Sequence, residues 1–163
     1  MNRALRMFIE RYKFKGPPYP RSVDLVELLR QQATTPEQQE LITDLFERIT
    51  LYDLRVQETR AERREDGRWD VTVPVAARKL YASGSGEEQE VPLSDEIEIG
   101  LFTAEPGTRD FAETNVLAME RRPIRSGEQV LNFVTDIKPT HVGFDPYNFY
   151  IDRNSADNVL PVQ

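Results

Sequence analysis

The sequence predicts a mainly β protein in which an antiparallel β-sandwich follows three short α-helices. Hydrophobic residues recur with helical spacing up to about residue 50, and from residue 51 they alternate with polar residues as in β-strands. Turn-forming dipeptides separate the alternating segments at short intervals. We therefore expect two parts, a helical segment over residues 1–50 and a β-sandwich domain over residues 51–163.

The helical segment is expected to contain three amphipathic helices. Prolines within residues 16–20 end the first, because proline lacks an amide donor and restricts the residue before it. Ser22 is expected to cap the second. Thr35 and Gln38 have capping-box spacing at the start of the third, with Pro36 at the first helical position. The apolar faces of the first and third helices comprise Leu5, Phe8, Ile9 and Tyr12, and Leu41, Ile42, Leu45, Phe46 and Ile49.

Alternating residues predict about seven short strands in the second part. Asp66-Gly67 is a strong hairpin signal before the strand that begins near Trp69, and Pro74 is expected to place this strand at a sheet edge or on a bulge. Short antiparallel strands joined by turns are typical of an immunoglobulin-like sandwich. The expected strand segments and turns are 52–56, 69–75, 79–81, the 83–86 loop, 90–91, 97–101, 116–122, the 126–127 turn, 129–134 and 141–144.

Composition argues against several classes of partner. The formal net charge is −7, from 28 acidic and 21 basic residues, whereas nucleic-acid binding requires a basic face. The basic residues of 60–68 are interleaved with acidic ones, which indicates a solvated surface. The absence of cysteine excludes disulfides, thiolate catalysis and cysteine zinc sites. No apolar run approaches the roughly 20 residues that span a bilayer, so we expect no membrane insertion by this segment.

The sequence contains no recognisable catalytic constellation. His141 is the only histidine, no Gly-x-Ser-x-Gly elbow accompanies it, and a His-Glu-x-x-His zinc helix cannot be assembled from one histidine. The acidic pairs Glu87-Glu88 and Glu96/Glu98 fit loops or a solvent-facing strand better than a glycosidase-like site. We therefore assign no catalytic, cofactor-binding or metal-binding residue.

The C-terminal run from Asp145 to Asn158 is rich in oxygen ligands. Asp152, Asn154 and Asp157 could suggest calcium, but Ala156 occupies the third ligand position of an EF-hand, and the loop glycine and closing glutamate are missing. Aspartate and asparagine commonly bond their own backbone in turns, and this interpretation is favoured.

Two stretches taken together carry a family resemblance. The first runs from Tyr19 to Asp53, and the second comprises residues 73–81, 143–148 and 151–158. In this order they resemble the C-terminal end of bacterial zinc metallopeptidases of the aminopeptidase N type, especially the branch associated with ABC-transporter permeases. The run Asp-Pro-Tyr, Asp-Arg-Asn and Asp-Asn within residues 145–158 is the most specific part of the likeness.

The resemblance implies a non-catalytic role. In that family a thermolysin-like domain carries the zinc ligands and a catalytic tyrosine, and a β-sandwich follows it. No zinc ligand has a counterpart here, and Tyr12, Tyr19 and Tyr52 are not assigned as the catalytic tyrosine because the ligand helix is missing. The chain is then expected to buttress the catalytic domain of a parent peptidase, with zinc only in that parent and this region in a soluble part of an integral membrane protein.

Other interpretations remain open at this point. The helices could also mediate self-association through their apolar faces. A free-standing sandwich module that binds a protein or carbohydrate ligand through its loops is the main alternative. A hydrolase that uses two carboxylates has the least support.

Overall fold

The structure, a computed structural model that describes residues 2–163, confirms the fold class predicted from the sequence. Three helices precede nine strands, and the chain divides into two compact units between Ile49 and Thr50. The helices are α1 (Asn2–Tyr12), α2 (Ser22–Gln32) and α3 (Pro36–Phe46). The strands are β1 (Ile49–Val56), β2 (Arg60–Arg63), β3 (Trp69–Ala82), β4 (Glu88–Val91), β5 (Ser94–Phe102), β6 (Val116–Arg125), β7 (Gly127–Thr135), β8 (His141–Phe144) and β9 (Val159–Pro161).

The helical unit has a small apolar interior. α2 packs against both α1 and α3, and the buried apolar residues are Ala4, Leu28 and Ile42. Polar contacts between α2 and α3 supplement them: the Arg30 guanidinium donates to Gln39 Oε1 and to Thr43 Oγ1 at 2.9 Å each. Side-chain hydrogen bonds thus hold these two helices together alongside a few apolar contacts.

The caps of α2 and α3 differ in how well the sequence predicted them. Thr35 Oγ1 accepts a hydrogen bond from Gln38 N at 3.3 Å, as the spacing predicts. The assignment of Ser22 as an N-cap is wrong, because Ser22 is already the first helical residue and Arg21 occupies the cap position. The Asp24 carboxylate, at the third helical position, accepts from Arg21 N at 2.7 Å, which is the contact that the third helical residue makes in a capping box.

β3 is the central strand of the first sheet. It pairs with β1, β2, β4 and β7, and its pairing with β7 extends from Trp69–Thr135 to Ala77–Gly127. The predicted Asp66-Gly67 turn joins β2 to β3, with Gly67 at φ 88°. The 83–86 loop joins β3 to β4 in a second hairpin.

Pro74 does not lie on an edge strand, so that part of the prediction is wrong. It lies in the middle of β3, opposite Val130 of β7. Its carbonyl accepts from Gln57 N at 2.8 Å. The carbonyl and the nitrogen of a strand residue face the same side, so the Pro74 nitrogen also faces residues 57–59, where the chain leaves β1 and has not yet begun β2. The missing amide hydrogen therefore faces this interruption, and no regular ladder bond is lost.

The second sheet has the order β6-β5-β8-β9. β6 and β7 are consecutive in the chain but belong to different sheets, so the predicted Ser126-Gly127 turn carries the chain from one sheet to the other. Gly127 has a φ of 96°, and Ser126 Oγ accepts from Leu93 N at 2.8 Å. This crossing makes the two sheets the layers of one sandwich.

The core lies between the two sheets and uses alternate residues of each strand. Val71, Val73 and Val75 of β3 and Ile97 and Ile99 of β5 are fully or almost fully buried. Because alternate residues point to opposite faces, Gly100 and Phe102 lie on the outer face of the second sheet. Phe102 is also fully buried, which shows that loops cover part of this outer face.

Candidate functional site

The residues considered as candidate ligands or catalysts do not converge on one site. Within residues 2–163 no group of three or more histidine, aspartate or glutamate side chains could hold a metal ion. His141 Nδ1 lies 2.9 Å from Thr140 Oγ1. The acidic pairs contribute to ion pairs, with Glu98 bound by Arg121 at 3.0 Å and Glu88 by Arg153 at 2.7 Å.

The oxygen-rich C-terminal run forms turns and docks on β1. Asp152 Oδ1 accepts from Asn154 N at 2.9 Å in a local turn, and Asp152 Oδ2 accepts from Leu54 N at 3.0 Å. Asp157 Oδ2 accepts from Asn154 Nδ2 at 3.0 Å. These carboxylates therefore organise backbone and neighbouring side chains.

Asp145 orders the loop that follows β8. Its side chain is buried, its backbone adopts a left-handed φ of 50°, and its two carboxylate oxygens accept from Phe149 N at 3.0 Å and Tyr150 N at 2.9 Å. Burial raises the pKa of the Asp145 carboxyl, and the two backbone amides oppose that rise. The sequence places Asp145 in a likeness motif but gives no sign that its carboxylate is buried.

A buried polar cluster links the two sheets. Lys79 of β3 is 0% exposed, and its Nζ lies 3.4 Å from Oδ2 of Asp95 on β5. The Tyr52 hydroxyl donates to the same carboxylate oxygen at 3.0 Å. The Tyr150 ring packs against Tyr52 with centroids 4.6 Å apart, and its hydroxyl donates to the Glu96 carbonyl at 3.2 Å. We call these four side chains, Tyr52, Lys79, Asp95 and Tyr150, the inter-sheet cluster.

The electrostatics of the inter-sheet cluster favour a structural role. Burial, followed by the nearby Asp95 and Asp145 carboxylates, raises the pKa of Tyr150 to about 12. Lys79 has no solvent-accessible surface, so its ammonium cannot contact a substrate in this arrangement. The cluster therefore joins the two layers of the sandwich.

The helical unit exposes several large apolar side chains, which are the strongest candidate for an interaction site. Ile9 is 57% exposed and Leu45 is 55% exposed, although both lie on the helical faces that the sequence marks as apolar. On α1, Leu5 and Ile9 lie about one turn apart on the same face of the helix. We call this set the helical apolar surface; its members are Leu5, Ile9, Val23, Leu41, Leu45 and Phe46.

Comparisons of the chain with protein-family models, with curated proteins and with solved structures find no match. Across residues 2–163, each helix is too short or too polar to cross a bilayer.

Proposed function

We propose that this chain is a non-catalytic C-terminal accessory region of a zinc aminopeptidase-like protein, in which it buttresses the catalytic domain. The observation that carries the proposal is the helical apolar surface. The likeness over residues 19–53, 73–81, 143–148 and 151–158 supports it, since in that family helices at the end of the catalytic domain precede a sandwich.

The energetics of the helical unit support a missing partner surface. Among the described residues 2–49, three buried apolar side chains form a small interior, and domains of this size are marginal even with a complete core. Burying one Leu, Ile or Phe side chain contributes roughly 1.5–3 kcal/mol. A covering domain would therefore stabilise the helices by burying residues such as Ile9 and Leu45.

The sandwich supplies a rigid element for such a role. The inter-sheet cluster connects β3 to β5, and the C-terminal run is tied to β1 through Asp152. In the proposed parent, zinc and peptide-bond chemistry belong to the catalytic domain, which removes N-terminal residues from peptides. Association of the parent with a transporter permease would place this region in a soluble part of a membrane protein.

The first test is to sequence the source locus upstream of the codon for Met1. The proposal expects the reading frame to continue into a segment with His-Glu-x-x-His and a downstream glutamate. A frame that closes just upstream would instead favour a free-standing sandwich module. Stoichiometric zinc and peptide hydrolysis by the isolated chain would overturn the accessory role.

A second test uses the longer protein. Ile9→Glu and Leu45→Glu place charges on the helical apolar surface and should each lower its free energy of unfolding by about 2–3 kcal/mol, since a buried side chain is replaced by a carboxylate. Val130→Glu, at a residue 60% exposed on β7, is the matched control. Equal effects at the three positions would show that the helical apolar surface is not covered.

A further inference from the structure

A groove lies on the outer face of the second sheet. The loop after β5 and the segment between β8 and β9 fold over this face, and together they border an open groove of about 590 Å³. Phe111 packs edge-on against the buried Phe102 ring, with centroids 5.6 Å apart, and anchors one side. Pro146 lies over Gly143 on the other side. The volume is within the range of pockets that bind small molecules or short segments of chain.

Asn158 is the buried polar residue among those that line the groove. It is 1% exposed, and neither Oδ1 nor Nδ2 of its amide has a hydrogen-bond partner among the described residues. Its backbone carbonyl is used, because it accepts from Phe144 N at 2.8 Å. An unsatisfied buried amide is costly, so a ligand that supplies both an acceptor and a donor gains from pairing with it.

The rest of the lining mixes apolar residues with the polar residues Thr108, Asn148 and Ser155 and the acidic Glu105. Phe111, Tyr147 and Val159 supply apolar surface, and Glu105 is the one charged side chain in the lining. No lysine or arginine lines the groove, and the chain as a whole carries a net charge of −7. These charges oppose an anionic ligand and favour a neutral or basic one.

We propose that this groove binds an extended, neutral-to-basic peptide segment, with the Asn158 amide turning toward the groove to pair with the N–H and C=O of one peptide residue. Tyr147 and Phe111 contact an apolar side chain, and Glu105 attracts a cationic one. A residue in an extended peptide offers one donor and one acceptor side by side, which matches a single side-chain amide. The proposal goes beyond the accessory role, and either can fail without the other.

A carbohydrate is the competing occupant, because Asn148 and Ser155 also line the groove, but it matches the buried Asn158 amide less well. A sugar ring presents several hydroxyl groups and needs a set of oriented polar partners. Asn158 is the single buried polar side chain in the lining, and the Thr108 hydroxyl already donates to the Glu105 carbonyl at 2.8 Å. A peptide backbone supplies the one donor and the one acceptor that the Asn158 amide needs.

The test is an amide-resolved NMR titration of the full 163-residue chain. The probe is the blocked peptide acetyl-Arg-Val-Pro-Val-Lys-amide, with acetyl-Glu-Val-Pro-Val-Glu-amide as its acidic counterpart and maltose as the sugar. The basic peptide should shift signals from residues 105–111, 146–148 and 155–159, and the acidic peptide should bind more weakly.

Substitutions separate binding from folding. Tyr147→Ala changes an exposed ring, and Asn158→Ala removes the unpaired amide; each should weaken binding of the basic peptide about tenfold. Asn132→Ala removes an exposed amide on β7 and should leave binding unchanged. Absence of shifts at millimolar peptide, shifts confined to other surfaces, equal binding of the two peptides, or maltose binding in place of peptide would each overturn the proposal.

Discussion

Lys79 is the residue whose environment most constrains the sandwich. Its ammonium is buried between the two sheets, beside Asp95 and near the Tyr52 hydroxyl that shares the same carboxylate oxygen. Removing one member of a buried ion pair leaves an uncompensated charge, whereas replacing both by apolar residues of similar size is often neutral. We therefore expect the pair to contribute more to how the sheets align than to net stability.

We expect Asp95→Leu to lower the free energy of unfolding by about 3–5 kcal/mol, because it leaves the Lys79 ammonium buried without this carboxylate. The double variant Lys79→Met/Asp95→Leu should recover most of that loss. Chemical denaturation of the three proteins measures both effects. Arg60→Ala, which removes an exposed ion pair with Glu58, is the control and should cost less than about 1 kcal/mol. A double variant as unstable as Asp95→Leu would contradict this account.

The raised pKa of Tyr150 predicts that the folded protein loses stability at high pH. Its folded-state pKa of about 12 exceeds the value near 10 of an unfolded tyrosine, so the unfolded state loses its proton first. The contribution of Tyr150 is fully present below about pH 10 and is lost as the pH rises through about 12. Tyr150→Phe should flatten the stability curve over this interval, measured by urea unfolding at successive pH values. Tyr19→Phe, at a residue 72% exposed, is the control, and an equal change in both variants would refute the assignment.

The burial of Lys79 could be read from the sequence, but its partner could not. Val71, Val73, Val75 and Ala77 alternate inward along β3, and the same period places Lys79 on the core side. Asp95 lies on another strand in the opposite sheet, and no local pattern indicates that β3 and β5 face each other at this point. The unpaired amide of Asn158 is invisible for the same reason, since it depends on how distant loops pack.

At the scale of elements, two glycines on adjacent strands shape the outer face of the second sheet. Gly100 of β5 and Gly143 of β8 are register partners. A Cβ atom at Gly100 would lie 2.1 Å from the Phe102 ring, and one at Gly143 would lie 2.6 Å from Pro146 Cβ. Because neither glycine has a side chain, the two leave a depression in the sheet surface. The Phe102 ring and the turn after β8 fill this depression, and the loops pack closely on the sheet.

Gly100→Ala should therefore destabilise the sandwich by about 1–3 kcal/mol through overpacking, since the fully buried Phe102 ring has little room to move. Thermal unfolding followed by circular dichroism measures the effect. Gly84→Ala in the 83–86 loop is the matched control, because an added Cβ there meets no atom within 4 Å. Similar melting temperatures for the two variants would show that the depression is not tightly filled.

Elements with a local signal were the ones that could be predicted from the sequence. The Asp66-Gly67 hairpin and the Thr35 cap depend on neighbouring residues alone, and the structure contains both. Pro74 was placed wrongly because its tolerance depends on the break in pairing between β1 and β2, which is a property of the assembled sheet. The Ser22 cap failed because the helix already includes Ser22: Arg21 is the N-cap, and its amide donates to Asp24 at the third helical position.

At the scale of the whole molecule, the two units differ in how complete their interiors are. Every residue of the main core cluster lies between Tyr52 and Val162, within the sandwich unit. The helical unit combines a small interior with the helical apolar surface. We therefore expect the sandwich unit to fold alone and the helical unit to depend on a partner.

We expect a fragment of residues 50–163 to unfold cooperatively and to keep its β-type circular dichroism, since its core is intact. A fragment of residues 1–49 should show little helix in isolation, because short helices without packing are marginal in water. Circular dichroism and denaturation of the two fragments are the measurements. A stable, cooperative helical fragment would remove the main support for a missing partner domain.

The central position of β3 also affects the order in which the strands pair during folding. Its hairpins with β2 and β4 join segments that are adjacent in the sequence. Its pairing with β7 joins segments that β4, β5 and β6 separate in the sequence. Contacts close in sequence form with the smaller entropic cost, so the β2-β3-β4 meander should protect its amides first in pulsed hydrogen exchange. During that interval the edge of β3 that later receives β7 has unpaired amides and carbonyls. The speed with which β7 arrives should therefore decide how much of the newly folding chain is lost to aggregation.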